Sequence, residues 1–394
     1  MAIVAGCGGG TPASPSPVSG SPGAGATPSA TMPGSSAVAG NAKDVTTYRG
    51  DAARTGVMPG PGPLAAPVVA WSFDASAPIG SSVAVVGGVV YLVGSNGTVH
   101  ALDLGTGHER WKVALGVEAH SSPTVIDGLV IVGTDDGVHA LRAADGTAAW
   151  STPGIGPVGG ALAVTEETGV FADGTGTVGA IDIRTGKLTW KRDEGAPDTR
   201  SVATDGQVAI VGIDGGTIIA LSLADGTERW RTGPGDPAGV GSPTIADGRV
   251  FAATGLGSEG PGTHHLVALD LATGKLLWRY ASPKDVAVYT PAISDGRAIV
   301  DGEDSTVTAL DPATGKVVWT SPAPGVDEVV AAVVGATVYS ASNGGFAFAL
   351  DAATGAERWR LAIQGVPYGA VVTGGMVLVG TDGGTLYAIG GTGG

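Results

Sequence analysis

Beyond about residue 46, short apolar runs rich in Val, Ile and Ala are cut at close intervals by Asp-Gly, Gly-Gly and Thr-Gly pairs. One stretch displays the whole pattern. SPTVI (Ser122 to Ile126) is followed by the turn Asp127-Gly128, LVIVGT (Leu129 to Thr134), the turn Asp135-Asp136-Gly137, VHALR, a hairpin and AAWST. No helical period of apolar residues occurs, and such runs bounded by turn residues read as strands. The pattern predicts four antiparallel strands, A to D, per unit.

The unit repeats. The eight tryptophans are Trp71, Trp111, Trp150, Trp190, Trp230, Trp278, Trp319 and Trp359, with steps of 40, 39, 40, 40, 48, 41 and 40 residues. Seven eleven-residue blocks end on Trp, from ALDLGTGHERW (Ala101 to Trp111) to ALDAATGAERW (Ala349 to Trp359). Each has Gly four residues before the Trp: Gly107, Gly146, Gly186, Gly226, Gly274, Gly315 and Gly355. Five have Asp eight before it: Asp103, Asp182, Asp270, Asp311 and Asp351. A strand ending in Asp, then Thr-Gly, predicts a tight hairpin: Asp bonds turn amides and Gly takes the positive-φ position. The Trp offers a flat face to the neighbouring unit.

Four-stranded units of about 40 residues are the blades of a β-propeller. Trp71 has no block before it, and the last unit, MVLVGTDGGTLYAIGG, has no Trp. The C-terminal segment is therefore expected to supply strands A to C of a last blade, and the Trp71 segment its outermost strand. The expected fold is all-β: a single eight-bladed propeller of four-stranded antiparallel blades, closed by N- and C-terminal strands.

The block A-L-D-x-x-T-G-K-x-x-W resembles the tryptophan-docking motif of the pyrroloquinoline-quinone (PQQ) repeat propellers. YRGDAARTGVMPGPGP (Tyr48 to Pro63) resembles the leader preceding the ring in many bacterial members. The resemblance spans roughly residues 46–394. It implies the fold; functions in that superfamily range from PQQ-dependent alcohol dehydrogenases to the lipoprotein of the outer-membrane β-barrel assembly machinery.

Composition narrows the class. Charged residues are 14% and the net charge is −15, which argues against nucleic acid, whose phosphates need a basic surface. No apolar run approaches the ~20 residues of a membrane helix. Residues 8–45 read as a Gly/Ser/Pro/Ala/Thr linker too poor in bulky apolar groups to pack. Residues 1–7 read as the remnant of a lipoprotein signal. They end in Val4-Ala5-Gly6-Cys7, which resembles a lipobox, and Cys7 is the only cysteine. Lipidation of Cys7 would make membrane contact through a lipid anchor alone and place the chain outside the cytoplasm, on the cell envelope.

In an antiparallel meander the A–B and C–D turns share one face, and the B–C and D–A connections the other. The first face is stereotyped, with Asp127-Gly128, Asp205-Gly206, Asp247-Gly248 and Asp295-Gly296. The second is irregular and includes the insertion Gly255 to His265, and irregular loops on a rigid scaffold carry binding. Glu118, His120, Arg200, Asp327, Glu328, Tyr289 and Tyr368 are expected there; Arg200, Tyr289, Tyr368, Asp327 and Glu328 are the candidate partner contacts. His100 and His139 occupy one slot in successive blades, which suggests C-strand surface positions. Adjacent His264 and His265 should point apart. Asp135-Asp136 and Glu303-Asp304 stand on B–C turns, where acidic residues are common.

No catalytic, cofactor-binding or metal residue emerges: there is no Ser/His/Asp or Cys/His signature and no phosphate loop. Family enzymes carry in many cases a vicinal Cys-Cys disulfide, a Ca²⁺ site beside the quinone and long insertions between blades. This chain has one Cys, outside the ring, and nearly minimal blades. The expected function is a non-catalytic binding or scaffold lipoprotein, a monomeric ring docking a protein, peptide or glycan partner, with neither PQQ nor Ca²⁺. A PQQ-dependent dehydrogenase and an outer-membrane assembly lipoprotein are the alternatives.

Overall fold

The computed structural model describes residues 44–391 apart from 196–201, 214, 234, 236–238, 258–263, 285 and 324–330. Among these residues every regular element is a β-strand, and no helix is long and apolar enough to cross a membrane. The strands form eight antiparallel sheets arranged as a ring. Their innermost A strands are Ala84–Val86, Thr124–Ile126, Ala163–Val164, Ala203–Thr204, Thr244–Ala246, Ala292–Ser294, Ala332–Val334 and Pro367–Thr373, which number blades 1 to 8. Blade 5 adds a two-residue strand, Gly239–Val240, to its sheet.

Burial follows radius. The middle strands are covered on both faces by neighbouring blades, as in Val89–Val93 and Val208–Ile213, where every residue is buried. That double covering explains why B strands read as continuous rather than alternating apolar runs. Outermost strands such as Leu188–Asp193 and Leu276–Ala281 alternate between exposed and half-buried positions, because one edge of each blade faces solvent.

The seam closes as the incomplete end units require. Pro67–Asp74 pairs antiparallel with Thr385–Gly391, with Trp71 opposite Ala388, and completes blade 8 around Pro367–Thr373 and Met376–Thr381. At three of the Asp-Gly A–B turns both residues have positive φ: 49° and 73° at Asp127-Gly128, 48° and 69° at Asp247-Gly248, 46° and 69° at Asp295-Gly296. These match the two-residue mirror-image turn expected for Asp-Gly. Asp205-Gly206 differs: only Gly206 has positive φ, and the Asp205 carboxylate caps Gln207 N and Val208 N instead.

Candidate functional site

The repeat residues make blade-to-blade joints. The indole N–H of Trp278 donates to Pro312 O of the next blade at 3.0 Å, and its ring lies on Gly315. A Cβ on Gly315 would sit 2.6 Å from that ring, and its φ is +70°, so both packing and backbone demand glycine. The same joint recurs from Trp71 on Leu104 O and Gly107 to Trp319 on Ala352 O and Gly355. The hairpins are held by carboxylates. Asp311 accepts from Ala313 N, Thr314 N and Thr314 Oγ1, and Thr314 above all holds its carboxyl below the ordinary range. The two blocks lacking that Asp use another route: Asp145 and Asp225 stand three positions later and cap Thr147 and Thr227. Sequence reading missed this second register, although the repeated A-D-G-T carries it.

Trp359, the last in the ring, has no following hairpin. Its indole donates to Pro63 O at 2.8 Å, and Pro63 belongs to the leader. That bond exposes the largest departure from the sequence expectation. The leader does not precede the ring; it lies inside it. Asp44 and Val45, assigned by composition to the linker, already bond blade 1: Gly87 N donates to Asp44 Oδ1, and Val45 pairs with Val85. From there the main chain visits the A strands in order. Val125 N donates to Thr46 O, Thr204 N to Ala52 O, Ile245 N to Ala53 O, Ile293 N to Thr55 O and Val333 N to Gly56 O. Gly60 N then donates to Val372 O. These contacts lie beside the A–B turns, so the leader seals that end of the channel.

Main-chain bonds of the leader skip blade 3, and a side chain fills the gap. Arg54 is fully buried and donates to Ala161 O and Leu162 O of blade 3 at 2.9 and 2.7 Å, and to Val202 O leading into blade 4 at 3.0 Å. Its remaining bonds go to Thr47 Oγ1 and Tyr48 O. Burial pulls its guanidinium down to about 10, against the favourable fields of Tyr48 and Asp51. Arg49 is likewise buried; it donates to Arg54 O and Pro291 O, and burial lowers its pKa while Asp51 and Asp301 oppose the shift. The signal for this plug was in the sequence: two arginines inside an otherwise small, Gly-rich leader, in an Arg-poor chain.

With one end sealed, the channel is a funnel open on the D–A and B–C face. Its described part, beside blades 8 and 1 to 3, encloses about 190 Å³ over Tyr48 of the leader and between Ser81, Ser82, His120, Ser122 and Tyr368. Tyr368 thus stands where the sequence placed it. Tyr289 is on the same face but not a wall of the funnel; its hydroxyl bonds Glu303 Oε1 at 2.8 Å. Arg200, Asp327, Glu328 and Cys7 lie outside the described residues, as does most of the 255–265 insertion. His100 is a correction: it is buried, bonded to Glu109 at 2.7 Å and packed edge-on against Phe73, because blade 8's outer strand covers it. His139 remains half-buried on Asp136.

A sequence profile of the family described as "Outer membrane protein assembly factor BamB" matches residues 68–201, 174–305, 216–361 and 303–394. The chain belongs to this PQQ-like propeller family. An outer membrane protein assembly factor BamB of Burkholderia pseudomallei is 27% identical over 191 residues, 44% of this chain and 50% of the relative. The chain spans about half the length of the curated relatives it matches. The crystal structure of BamB from Moraxella catarrhalis superposes with a TM-score of 0.66 at 17% identity, covering 82% of this chain and all of that one. A quinohemoprotein alcohol dehydrogenase from Comamonas testosteroni does so equally well, at 0.67 and 16%, covering 89% and 81%. Both likenesses establish fold alone.

Family membership raises the question of a quinone. Small-molecule sites enclose about 300–1,000 Å³ and are mostly apolar with aromatic walls. This one encloses about 190 Å³ and is walled largely by Gly, Ser and Ala, with a leader residue for a floor.

Proposed function

We propose that the chain is a non-catalytic scaffold of the bacterial cell envelope, tethered through lipidated Cys7, whose propeller docks a protein partner on its D–A and B–C face. The observation that carries this reading is the sealed channel. With the leader across the A–B end, a small and largely polar hollow is left on the other face, which directs recognition to the surface around it. The family's description and its members, named as outer membrane protein assembly factors, favour a partner in that assembly process. Peptide or glycan binding by the same face, and quinone-dependent oxidation, are the competing outcomes.

The test is a face map. A partner is captured from envelope extract with the full chain, purified, and titrated against Tyr368→Ala and Tyr289→Ala, then against Lys187→Glu with Lys275→Glu on the opposite hairpins. Buried tyrosines are frequent anchors, so loss of at least about tenfold in affinity is expected from a tyrosine variant and little from the lysine pair. Loss only with the lysine changes rejects the face. PQQ titrated with Ca²⁺ should give no stoichiometric quinone absorption and no dye-linked alcohol oxidation; either one would make the chain an enzyme.

A further inference from the structure

Acidic residues open the B–C turns beside a D–A connection in blades 2, 3 and 8, and they do not behave alike. In blade 3, Asp173 Oδ2 accepts from Gly156 N of the preceding connection at 2.8 Å. In blade 8, Asp382 donates its N–H to Val366 O at 2.9 Å and accepts Val366 N on its carboxylate at 2.7 Å. Both carboxylates serve as loop staples. Asp135 in blade 2 keeps the main-chain half of that pattern, donating to Glu118 O at 3.0 Å. Its carboxylate takes no loop amide. It stands instead with Glu118 and His120, the ligand atoms of all three lying within 4.8 Å of one another.

We propose that Glu118, His120 and Asp135 form a divalent transition-metal site at the rim of the funnel. One imidazole and two carboxylates make a mixed nitrogen and oxygen set suited to Zn²⁺, which binds through three protein ligands and leaves a position for water or a ligand. Two connections supply the ligands, and both are fixed without the ion. Ser121 Oγ, fully buried, accepts from Gly133 N at 2.7 Å and bonds Gly133 O at 3.1 Å, while Ala119 N donates to Ser95 O. Glu118 and His120 are already drawn together at 3.7 Å. The neighbouring Asp136 is spent on Thr134 and His139, which leaves Asp135 as the acid of that turn directed to the trio. Because His120 also walls the funnel, the open position of the ion would face whatever occupies it.

The probe is Zn²⁺ alone, titrated calorimetrically into the full chain, with Co²⁺ as a spectroscopic substitute. One high-affinity ion per chain is expected, with visible Co²⁺ absorption of a nitrogen-ligated site. His120→Ala and Asp135→Asn, both exposed and outside the core, should each weaken binding at least about tenfold, since even outer-shell losses cost about that much. Asp295→Asn on the opposite face should change nothing. No stoichiometric binding to the unaltered chain overturns the proposal. So does binding that survives either trio variant, which would place the ion on the chain's other histidines.

Discussion

Replacing Arg54 with Met should cost the ring more stability than removing any surface arginine. The guanidinium makes five hydrogen bonds, to Val202 O, Thr47 Oγ1, Tyr48 O, Ala161 O and Leu162 O, at 2.7 to 3.0 Å, and has no exposed surface. Methionine fills much of the stem's volume and donates nothing. Each buried acceptor left without a donor costs about 1 kcal/mol or more, partly offset because a cation no longer has to be desolvated. Leu162 O keeps a weak bond from Thr124 Oγ1 at 3.4 Å and Thr47 Oγ1 keeps Thr124 Oγ1 at 2.9 Å, so two of the five acceptors are only partly orphaned. A loss of about 3–5 kcal/mol follows, in the range seen when one member of a buried charged network is removed. The assay is equilibrium urea unfolding with the slope held as a check on the end states. Arg110→Met is the control: its guanidinium is about half exposed and pairs Asp103 at 2.7 Å, a surface contact worth at most about 1 kcal/mol. If Arg54→Met moved the midpoint no further than Arg110→Met, the leader would not be holding blades 3 and 4, and the sealed channel would lose its physical basis.

Gly315→Ala should destabilise by about 1–3 kcal/mol through its positive φ and the clash with Trp278, and pairing it with Trp278→Phe should be non-additive, measured by a double-mutant cycle. Acid should weaken the ring through its hairpins: the carboxyls of Asp182, Asp270, Asp311 and Asp351 lie below their ordinary value when folded, chiefly through Thr hydroxyl bonds. Their contribution is therefore complete above the unfolded value of about 4 and is lost as pH falls through the folded values, so the urea midpoint should drop between about pH 4 and 2. A midpoint flat across that interval would mean the Asp caps do not matter. Deleting residues 64–76 should abolish cooperative folding, whereas deleting 8–40 should leave the melting temperature unchanged; calorimetry distinguishes the two.

Which parts of this were legible in the sequence depended on repetition. Trp, Gly and Asp at fixed offsets recur in nearly every block, so seven copies of a weak hairpin signal add up to one strong statement of fold, including the split eighth blade. The leader occurs once, and its strands of hydrogen bonds are made by main-chain atoms of Thr46, Ala52, Ala53 and Thr55 that have no side-chain signature. Its small residues follow from a tight fit that only the fold reveals: a Cβ on Gly56 would sit 2.7 Å from Ala292 Cβ. His100 misled for a related reason. Its slot in the block is half-buried in blade 2, at His139, but blade 1 has the seam strand against it, and Phe73 covers the ring. The trio at Glu118, His120 and Asp135 was named piecewise; only the fold brings two connections together.

The leader also breaks the equivalence of the two faces in a way no repeat could. A ring of near-identical blades has a channel with two mouths, and nothing in the repeat itself chooses between them. A single leader segment crossing the A strands makes that choice: it spends the inner-edge amides of Val125, Thr204, Ile245, Ile293 and Val333, which would otherwise face the channel unpaired. The same crossing places two buried guanidinium groups near the axis, balanced by Asp51 and Asp301 rather than by solvent. What is left open is the mouth over Tyr48, where Tyr368, His120 and Asp135 are among the described residues that differ from blade to blade. The asymmetry between the two faces comes from the one segment of the ring that is not a repeat.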